Sequence, residues 1–173
     1  MSRAVLSLGS NQGDRYAYLQ LAVKVLGESV VLVSGVYETP PWGDVEQPAY
    51  LNAVALVVDP EAAPADWLDR AHACETAAGR ARDPERRFGP RTLDVDVIDV
   101  RADDGSVVVQ NDPDLTLPHP RAHLRAFVLR PWLEIQPYAE LTGHGRLLDL
   151  VRTGPAAADL AGLRARDDIS LET

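Results

Sequence analysis

From Leu93 to Val97 the chain alternates aliphatic and acidic side chains, within the run Thr92-Leu93-Asp94-Val95-Asp96-Val97-Ile98. An extended strand puts successive residues on opposite faces, so Leu93, Val95 and Val97 turn into a core while Asp94 and Asp96 share the other face. Two carboxylates side by side repel one another unless a cation sits between them. Hard oxygen ligands suit magnesium, which usually takes one or two carboxylates together with substrate phosphates. On its own, Asp-x-Asp is equally readable as a solvent-facing polar edge.

The neighbourhood favours the metal. Arg91 stands three residues before Asp94, on a stretch stiffened by Gly89 and Pro90, with Arg80, Arg82, Arg86 and Arg87 close behind. These five arginines belong to a chain whose only lysine is Lys24. Metal carboxylates beside clustered guanidinium groups are the parts of a phosphoryl-transfer site, where catalysis is mostly positioning and charge neutralisation. Such chemistry needs no paired nucleophile and base, because the substrate hydroxyl attacks directly, and the sequence shows no such pair. Read alone, the arginine run is a solvated loop.

The net charge of -9 argues against a protein that grips nucleic acid over a broad surface, since that affinity rests on neutralising phosphates. An acidic chain with one dense arginine segment suits a small anionic ligand instead. The longest apolar run, Ala53 to Val58, is far too short to span a bilayer, and the first residues lack a signal-peptide pattern. One cysteine, Cys74, permits no intrachain disulfide and fits a reducing compartment. A cytoplasmic location and no membrane partner are therefore expected. At 173 residues the chain is expected to form a single domain, residues 1–173, with a monomer as the expected state.

Strands are predicted at Ala4–Leu8, Val30–Tyr37, Tyr50–Val58 and Thr92–Val100, and a short one at Val107–Val109 after the turn Asp103-Asp104-Gly105. A first helix carries Leu19, Ala22, Val23 and Leu26 on one face, and a second, opening near Pro64, carries Trp67, Ala71, Cys74 and Ala78. A third is predicted over Arg121–Leu129, stopped by Pro131, and a short one over Leu147–Val151. Helices interleave with strands joined by tight turns. The expected class is α+β, a ferredoxin-like α/β sandwich with a mainly antiparallel sheet. The tail, 155–173, is Ala-rich and then acidic, and its pattern assigns it no place.

Neither a GxxxxGK[ST] loop nor a GxGxxG turn is present. Gly9-Ser10-Asn11 reads as a strand-to-helix turn with Ser10 or Asn11 capping the helix. His119 and His123 lack partners at zinc-ligand spacing, so a zinc site is not expected. Tyr50 and Asn52 share a strand face, setting an aromatic plane beside an amide, which suits a flat heteroaromatic ring; a core tyrosine beside a turn is the plainer alternative. Two rival readings fit the sequence less well. A nucleotidyltransferase would want Gly-Ser close to Asp-x-Asp, whereas Gly9-Ser10 and Asp94 are far apart in sequence. A ferredoxin-like RNA-binding module is disfavoured by the net charge and the lack of an RNP-type aromatic strand.

The residues Arg87-Phe88-Gly89-Pro90-Arg91-Thr92-Leu93-Asp94-Val95-Asp96-Val97-Ile98 resemble the signature of the 6-hydroxymethyl-7,8-dihydropterin pyrophosphokinase family of folate biosynthesis. Gly9-Ser10-Asn11, Tyr37 through Gly43, Gln47-Pro48, Tyr50-Leu51-Asn52-Ala53 and Leu117-Pro118-His119 resemble further family motifs in the same order, so the likeness covers about residues 3 to 140. The resemblance implies transfer of pyrophosphate from ATP to the hydroxymethyl group of 6-hydroxymethyl-7,8-dihydropterin, releasing AMP. It implies two Mg2+ ions held by Asp94 and Asp96, with ATP as co-substrate and Arg80 and Arg91 as catalytic residues beside the two carboxylates. ATP would meet His72, Glu75, Arg82, Arg87, Arg91, Val97, Thr116, His119 and Arg125. The pterin would meet Thr39, Pro40, Trp42, Tyr50, Asn52, Phe88 and Phe127. Lids over Gly79–Gly89 and Gly43–Glu46 are implied as well. Phe88 where tryptophan is common, His72 where glutamine is frequent, and Pro120 after His119 depart from the family pattern, as does a longer stretch between Arg82 and Arg87 that offers Arg86 for the role given to Arg87.

Overall fold

The computed structural model describes residues 2–41, 46–79 and 92–173. In chain order the elements are β1 (Ser2–Ser10), α1 (Arg15–Leu26), β2 (Val30–Val33), β3 (Tyr37–Thr39), β4 (Tyr50–Asp59), α2 (Pro64–Ala77) and β5 (Asp94–Ala102). There follow β6 (Gln110–Asn111), β7 (Thr116–Leu117), α3 (Ala126–Ile135), β8 (Glu140–Leu141), β9 (Gly145–Arg146), α4 (Leu147–Thr153) and β10 (Arg164–Ala165).

The main sheet runs β10-β3-β4-β1-β5, with β2 also paired to β4, and every pairing is antiparallel. Taken as one broken edge strand, β2 and β3 are reached from β1 through α1, and β4 lies between. The second crossover, from β4 through α2 to β5, straddles β1. Two interleaved crossovers of this kind make the ferredoxin-like plait that the sequence pattern predicts.

Side-chain alternation gives the sheet two apolar faces. On one, Leu6, Leu8, Val57, Val95 and Val97 pack against Leu19, Ala22 and Val23 of α1 and Trp67, Ala71 and Cys74 of α2. Trp67 can be fully buried because its indole N–H donates to the Ser2 hydroxyl at 2.9 Å, which in turn donates to the Ala62 carbonyl at 2.6 Å. On the other face, Val5, Val54, Leu56 and Ile98 pack against Val128, Leu129 and Trp132 of α3 and Leu147, Leu150 and Val151 of α4. The middle of that second face is thus filled, and its end nearest Gly9 stays open.

Local structure departs from the sequence expectation at several points. The predicted strand Val30–Tyr37 is broken at 34–36, where Ser34 turns its hydroxyl inward to accept the Val54 N–H at 2.9 Å. Val107–Val109 forms only a bridge from Val107 to Arg101 rather than a strand. The helix expected at Arg121–Leu129 is a 3-10 turn, Ala122–Leu124, followed by α3, which runs through Pro131. Proline removes the N–H that would have met the Phe127 carbonyl, yet Val128, Leu129 and Trp132 bury on the helix's inner face and hold it together. Asp14, rather than Ser10 or Asn11, caps α1 by accepting the Ala17 N–H at 3.0 Å.

The tail has a place after all. Leu160 and Leu163 pack on the α3 face, β10 pairs with β3 at the sheet edge, and Ile169 and Leu171 pack on the α1 face. Its end is pinned where Tyr16 donates to the Ser170 carbonyl at 2.8 Å and Gln20 exchanges two hydrogen bonds with the Glu172 backbone. The tail is a strap across the β3 edge.

Candidate active site

Three strands meet at the open end of the second face. Gly9 of β1 stands between Asn52 of β4 and Asp94 of β5, and Ser7 stands likewise between Val54 and Asp96. A methyl on Gly9 would lie 2.8 Å from Asn52 Oδ1 and 3.4 Å from a Tyr50 ring carbon, so the row closes only around a glycine. Asn52 is buried and donates from Nδ2 to the Thr39 hydroxyl at 2.7 Å.

A cleft of about 280 Å³ opens over this row. Thr39, Pro40, Tyr50 and Asn52 line it from β3 and β4, with Phe127 from the start of α3. Asp94 and Asp96 line it from β5, with His119, Pro120, Arg121 and Arg125 from the segment after β7. One part therefore offers rings and an amide, and the other offers charges.

Arg125 joins the two parts. Its side chain is only 10% exposed, its Nη1 donates to Asp96 Oδ2 at 3.2 Å, and its guanidinium sits 5.7 Å from the Phe127 ring centroid. His119 is fixed by its own N–H, which donates to the Ile98 carbonyl at 2.8 Å, and by Nδ1, which accepts the Arg121 N–H at 3.1 Å. Burial, reinforced by the positive charges of Arg125 and Arg121, pushes its pKa down to about 4. The ring is therefore neutral at pH 7. With Nδ1 occupied as an acceptor, its proton sits on Nε2, a hydrogen-bond donor.

The entry to β4 is tied down from the turn after β1 and from the start of α1. Asn11 donates to Gln47 Oε1 at 2.7 Å and to the Pro48 carbonyl at 3.1 Å, and Arg15 donates to the Ala49 carbonyl at 3.0 Å. From α3, Glu134 accepts the Gly35 N–H at 2.7 Å and the Tyr37 hydroxyl at 2.6 Å, which clamps the break between β2 and β3.

Of the residues singled out from sequence, Asp94, Asp96, Thr39, Pro40, Tyr50, Asn52, His119, Arg125 and Phe127 share this cleft. Four others do not line it. His72 is exposed on α2, Glu75 is buried and accepts the Val95 N–H at 3.2 Å, Val97 lies in the core, and the Thr116 hydroxyl donates to the Asp112 carbonyl at 3.1 Å. Trp42, Arg80, Arg82, Arg86, Arg87, Phe88 and Arg91 lie outside the described residues, as do nearly all of both implied lids. Ser7, Gly9 and Arg121 are lining residues that sequence reasoning did not single out as site residues.

Could the two carboxylates hold a divalent cation? Among the described residues no three His, Cys, Asp or Glu side chains gather into a ready-made cage. Magnesium does not need one, since two carboxylates plus phosphate oxygens and water complete its shell. Asp94 and Asp96 sit on one face of one strand at the rim of an open cleft, and that donor set fits.

Residues 5–137 match the family described as 7,8-dihydro-6-hydroxymethylpterin-pyrophosphokinase (HPPK). The chain belongs to this family. It is 53% identical over 151 residues to the 2-amino-4-hydroxy-6-hydroxymethyldihydropteridine pyrophosphokinase of Mycobacterium leprae, which covers 84% of this chain and 78% of the relative. It is 50% identical over 149 residues to the pyrophosphokinase of the same description from Mycobacterium tuberculosis, with the same coverage. Among solved structures, an HPPK-DHPS in complex with substrates superposes with a TM-score of 0.63 at 11% identity, a likeness of fold. That match covers 88% of this chain but 43% of the longer one, so the HPPK chain described here spans less than half of it. Among the described residues no helix is long and apolar enough to cross a membrane.

Proposed function

We propose that this cleft carries out the reaction of its family: the hydroxymethyl oxygen of 6-hydroxymethyl-7,8-dihydropterin takes the pyrophosphoryl group of ATP, releasing AMP, as a step in folate biosynthesis. The observation that supports this reading is the row Asp94–Gly9–Asn52 across three adjacent strands, which brings a carboxylate and a buried amide into one cleft.

In this reading the pterin ring lies between Tyr50 and Phe127. Asn52 reads its edge, with its amide orientation fixed by the bond to Thr39. Pro40 closes one wall. Asp94 and Asp96 would hold two Mg2+ ions, which when bound would neutralise phosphate charge as Lewis acids. Arg125 keeps Asp96 in place and, with Arg121 and the neutral His119, presents donors to phosphate oxygens. His72, Glu75, Val97 and Thr116 are proposed to meet ATP from outside the cleft as it is lined here. Arg80 and Arg91 as catalytic groups, Arg82 and Arg87 on phosphate, and Trp42 and Phe88 on the pterin complete the assignment from outside the described residues. The chain works as a single domain and a cytoplasmic monomer.

The test is AMP release from ATP in purified protein, with and without the pterin alcohol. Pterin-dependent AMP that disappears with EDTA and returns with magnesium is the expected result. Pterin-dependent AMP that survives exhaustive chelation would remove the metal from the assignment. ATP turnover that ignores the pterin would remove the acceptor.

A further inference from the structure

Thr39, Pro40 and Phe127 line two cavities at once. One is the cleft over Asp94 and Asn52, and the other is a second cavity of about 260 Å³ that Ala158, Gly162 and Leu163 of the C-terminal strap also line. These three residues are therefore a partition with space on both sides. A wall of that kind stands only where its backing holds it.

The backing comes from the strap. β10 pairs with β3 through Arg164 against Glu38 and Ala165 against Tyr37, immediately before Thr39 and Pro40. The Arg166 N–H donates to the Val36 carbonyl at 2.8 Å, and its guanidinium donates to Glu38 at 3.2 Å, a carboxylate that Arg15 of α1 also holds at 3.0 Å. Gly162 faces the partition directly. A methyl built on it would lie 3.4 Å from Pro40 Cγ and 3.5 Å from Cδ, ordinary van der Waals contact. An alanine therefore fits, and a longer side chain reaches the proline ring.

We propose that the strap is a positioning element for the pterin wall, and that the absence at Gly162 of any side chain longer than a methyl lets Pro40 stand where it does. The strap lies beyond residues 5–137, the part of the chain that matches the family. Gly162 touches neither substrate in the reading above, on which this inference rests. It acts through Pro40, so it tunes acceptance of the pterin and leaves the metal and phosphate part of the cleft alone.

The experiment compares Gly162→Ala and Gly162→Leu with the unaltered chain in the AMP assay, titrating the pterin alcohol and ATP separately and recording each protein's thermal midpoint. Gly162→Ala is expected to match the unaltered chain in both KM values. Gly162→Leu is expected to raise the pterin KM on the order of tenfold, within the ~10²-fold that a misplacement of about 1 Å can cost. Its ATP KM and thermal midpoint are expected to stay near those of the unaltered chain. An unchanged pterin KM in Gly162→Leu overturns the proposal. So does an equal rise in both KM values, or a fall in activity that tracks a fall in thermal midpoint, because either marks a general structural role. If Gly162→Leu does not fold, Gly162→Val is judged by the same criteria, and failure of both to fold also overturns it. Should the unaltered chain make no pterin-dependent AMP, the proposed reaction fails, and pterin affinity by fluorescence titration of the same variants decides whether Gly162 governs the wall.

Discussion

Asn52 on β4 and Thr39 on β3 meet inside the protein, with Asn52 Nδ2 donating to Thr39 Oγ1 at 2.7 Å and both residues less than 5% exposed. An amide could face either way in a cleft. This bond decides, leaving Oδ1 beside Gly9. Thr39→Val keeps the shape and removes the acceptor. A buried donor left unpaired costs about 1–3 kcal/mol, so the urea midpoint should fall accordingly. The pterin KM should rise together with it, because the amide is then free to turn. Thr39→Ser keeps the acceptor and should restore both; a Thr39→Val variant with unaltered KM would detach this bond from pterin recognition.

Asp94 and Asp96 are held side by side by β5, with Asp96 paired to Arg125 and lying at the cleft rim. Asp94→Asn and Asp96→Asn preserve size and remove charge. Each should lower kcat on the order of 10²-fold or more, since a bound metal supplies several kcal/mol of charge stabilisation in the transition state. Circular dichroism should be unchanged, because neither side chain belongs to an apolar cluster. Near-normal turnover in both variants would sink the metal assignment.

How much of this was legible in the chain follows from the range of each signal. The period-two run at Leu93–Val97 announced β5, and its acidic positions announced the charged part of the cleft, because both signals are local. Tyr50 and Asn52 could be placed on one face for the same reason. Phe127, His119 and Arg125 came from resemblance alone, since only the tertiary fold carries the segment after β7 over Asp96. Ser7 is silent in the sequence, and Gly9 reads only as part of the Gly9-Ser10-Asn11 turn, because small side chains carry no chemical signature; their role is to leave room. The break at Ser34 falls on Ser34-Gly35, a weak turn signal inside an otherwise β-branched run, and the partner on β4 fixes where it lies. Pro131 should have ended a helix, yet packing of Trp132 and Leu129 outweighed the lost hydrogen bond. The strap had no periodicity to read. Its place is set by pairing with β3, more than a hundred residues earlier in the sequence.

Gly9 offers a test of that room. A methyl there would stand 2.8 Å from Asn52 Oδ1, closer than real contacts allow, and the nearest atom belongs to a side chain already pinned by Thr39. Gly9→Ala must therefore move Asn52, or push β1 from β4. Overpacking of this kind typically costs about 1–3 kcal/mol. The pterin KM should rise with the loss of stability, while ATP affinity measured without pterin stays close to that of the unaltered chain. If crystals of Gly9→Ala showed Asn52 unmoved and the pterin KM unaltered, the row Asp94–Gly9–Asn52 would lose its role in pterin recognition.

Cys74 gives a prediction independent of the cleft. It is fully buried on α2 against α1, with its thiol 3.8 Å from the Ala22 carbonyl, and burial pushes its pKa up to about 11 from an ordinary 9.0. A neutral thiol without access to water is a poor nucleophile, so a disulfide reagent at pH 8 should label the folded protein negligibly and label one thiol per chain in denaturant. The same shift has a consequence for stability. Because the unfolded chain deprotonates first, the contribution from keeping Cys74 neutral is complete below about pH 9 and is lost as pH rises toward 11. Two units correspond to roughly 2–3 kcal/mol. Tyr37, raised to about 12 by burial and by its bond to Glu134, adds a loss of the same sign at higher pH. Cys74→Ala should therefore be less stable than the unaltered chain at pH 7, through the lost packing, and that gap should narrow between pH 9 and 11. Urea midpoints across this range measure it; a gap that stays constant would mean that Cys74 does not titrate differently in the folded and unfolded chains.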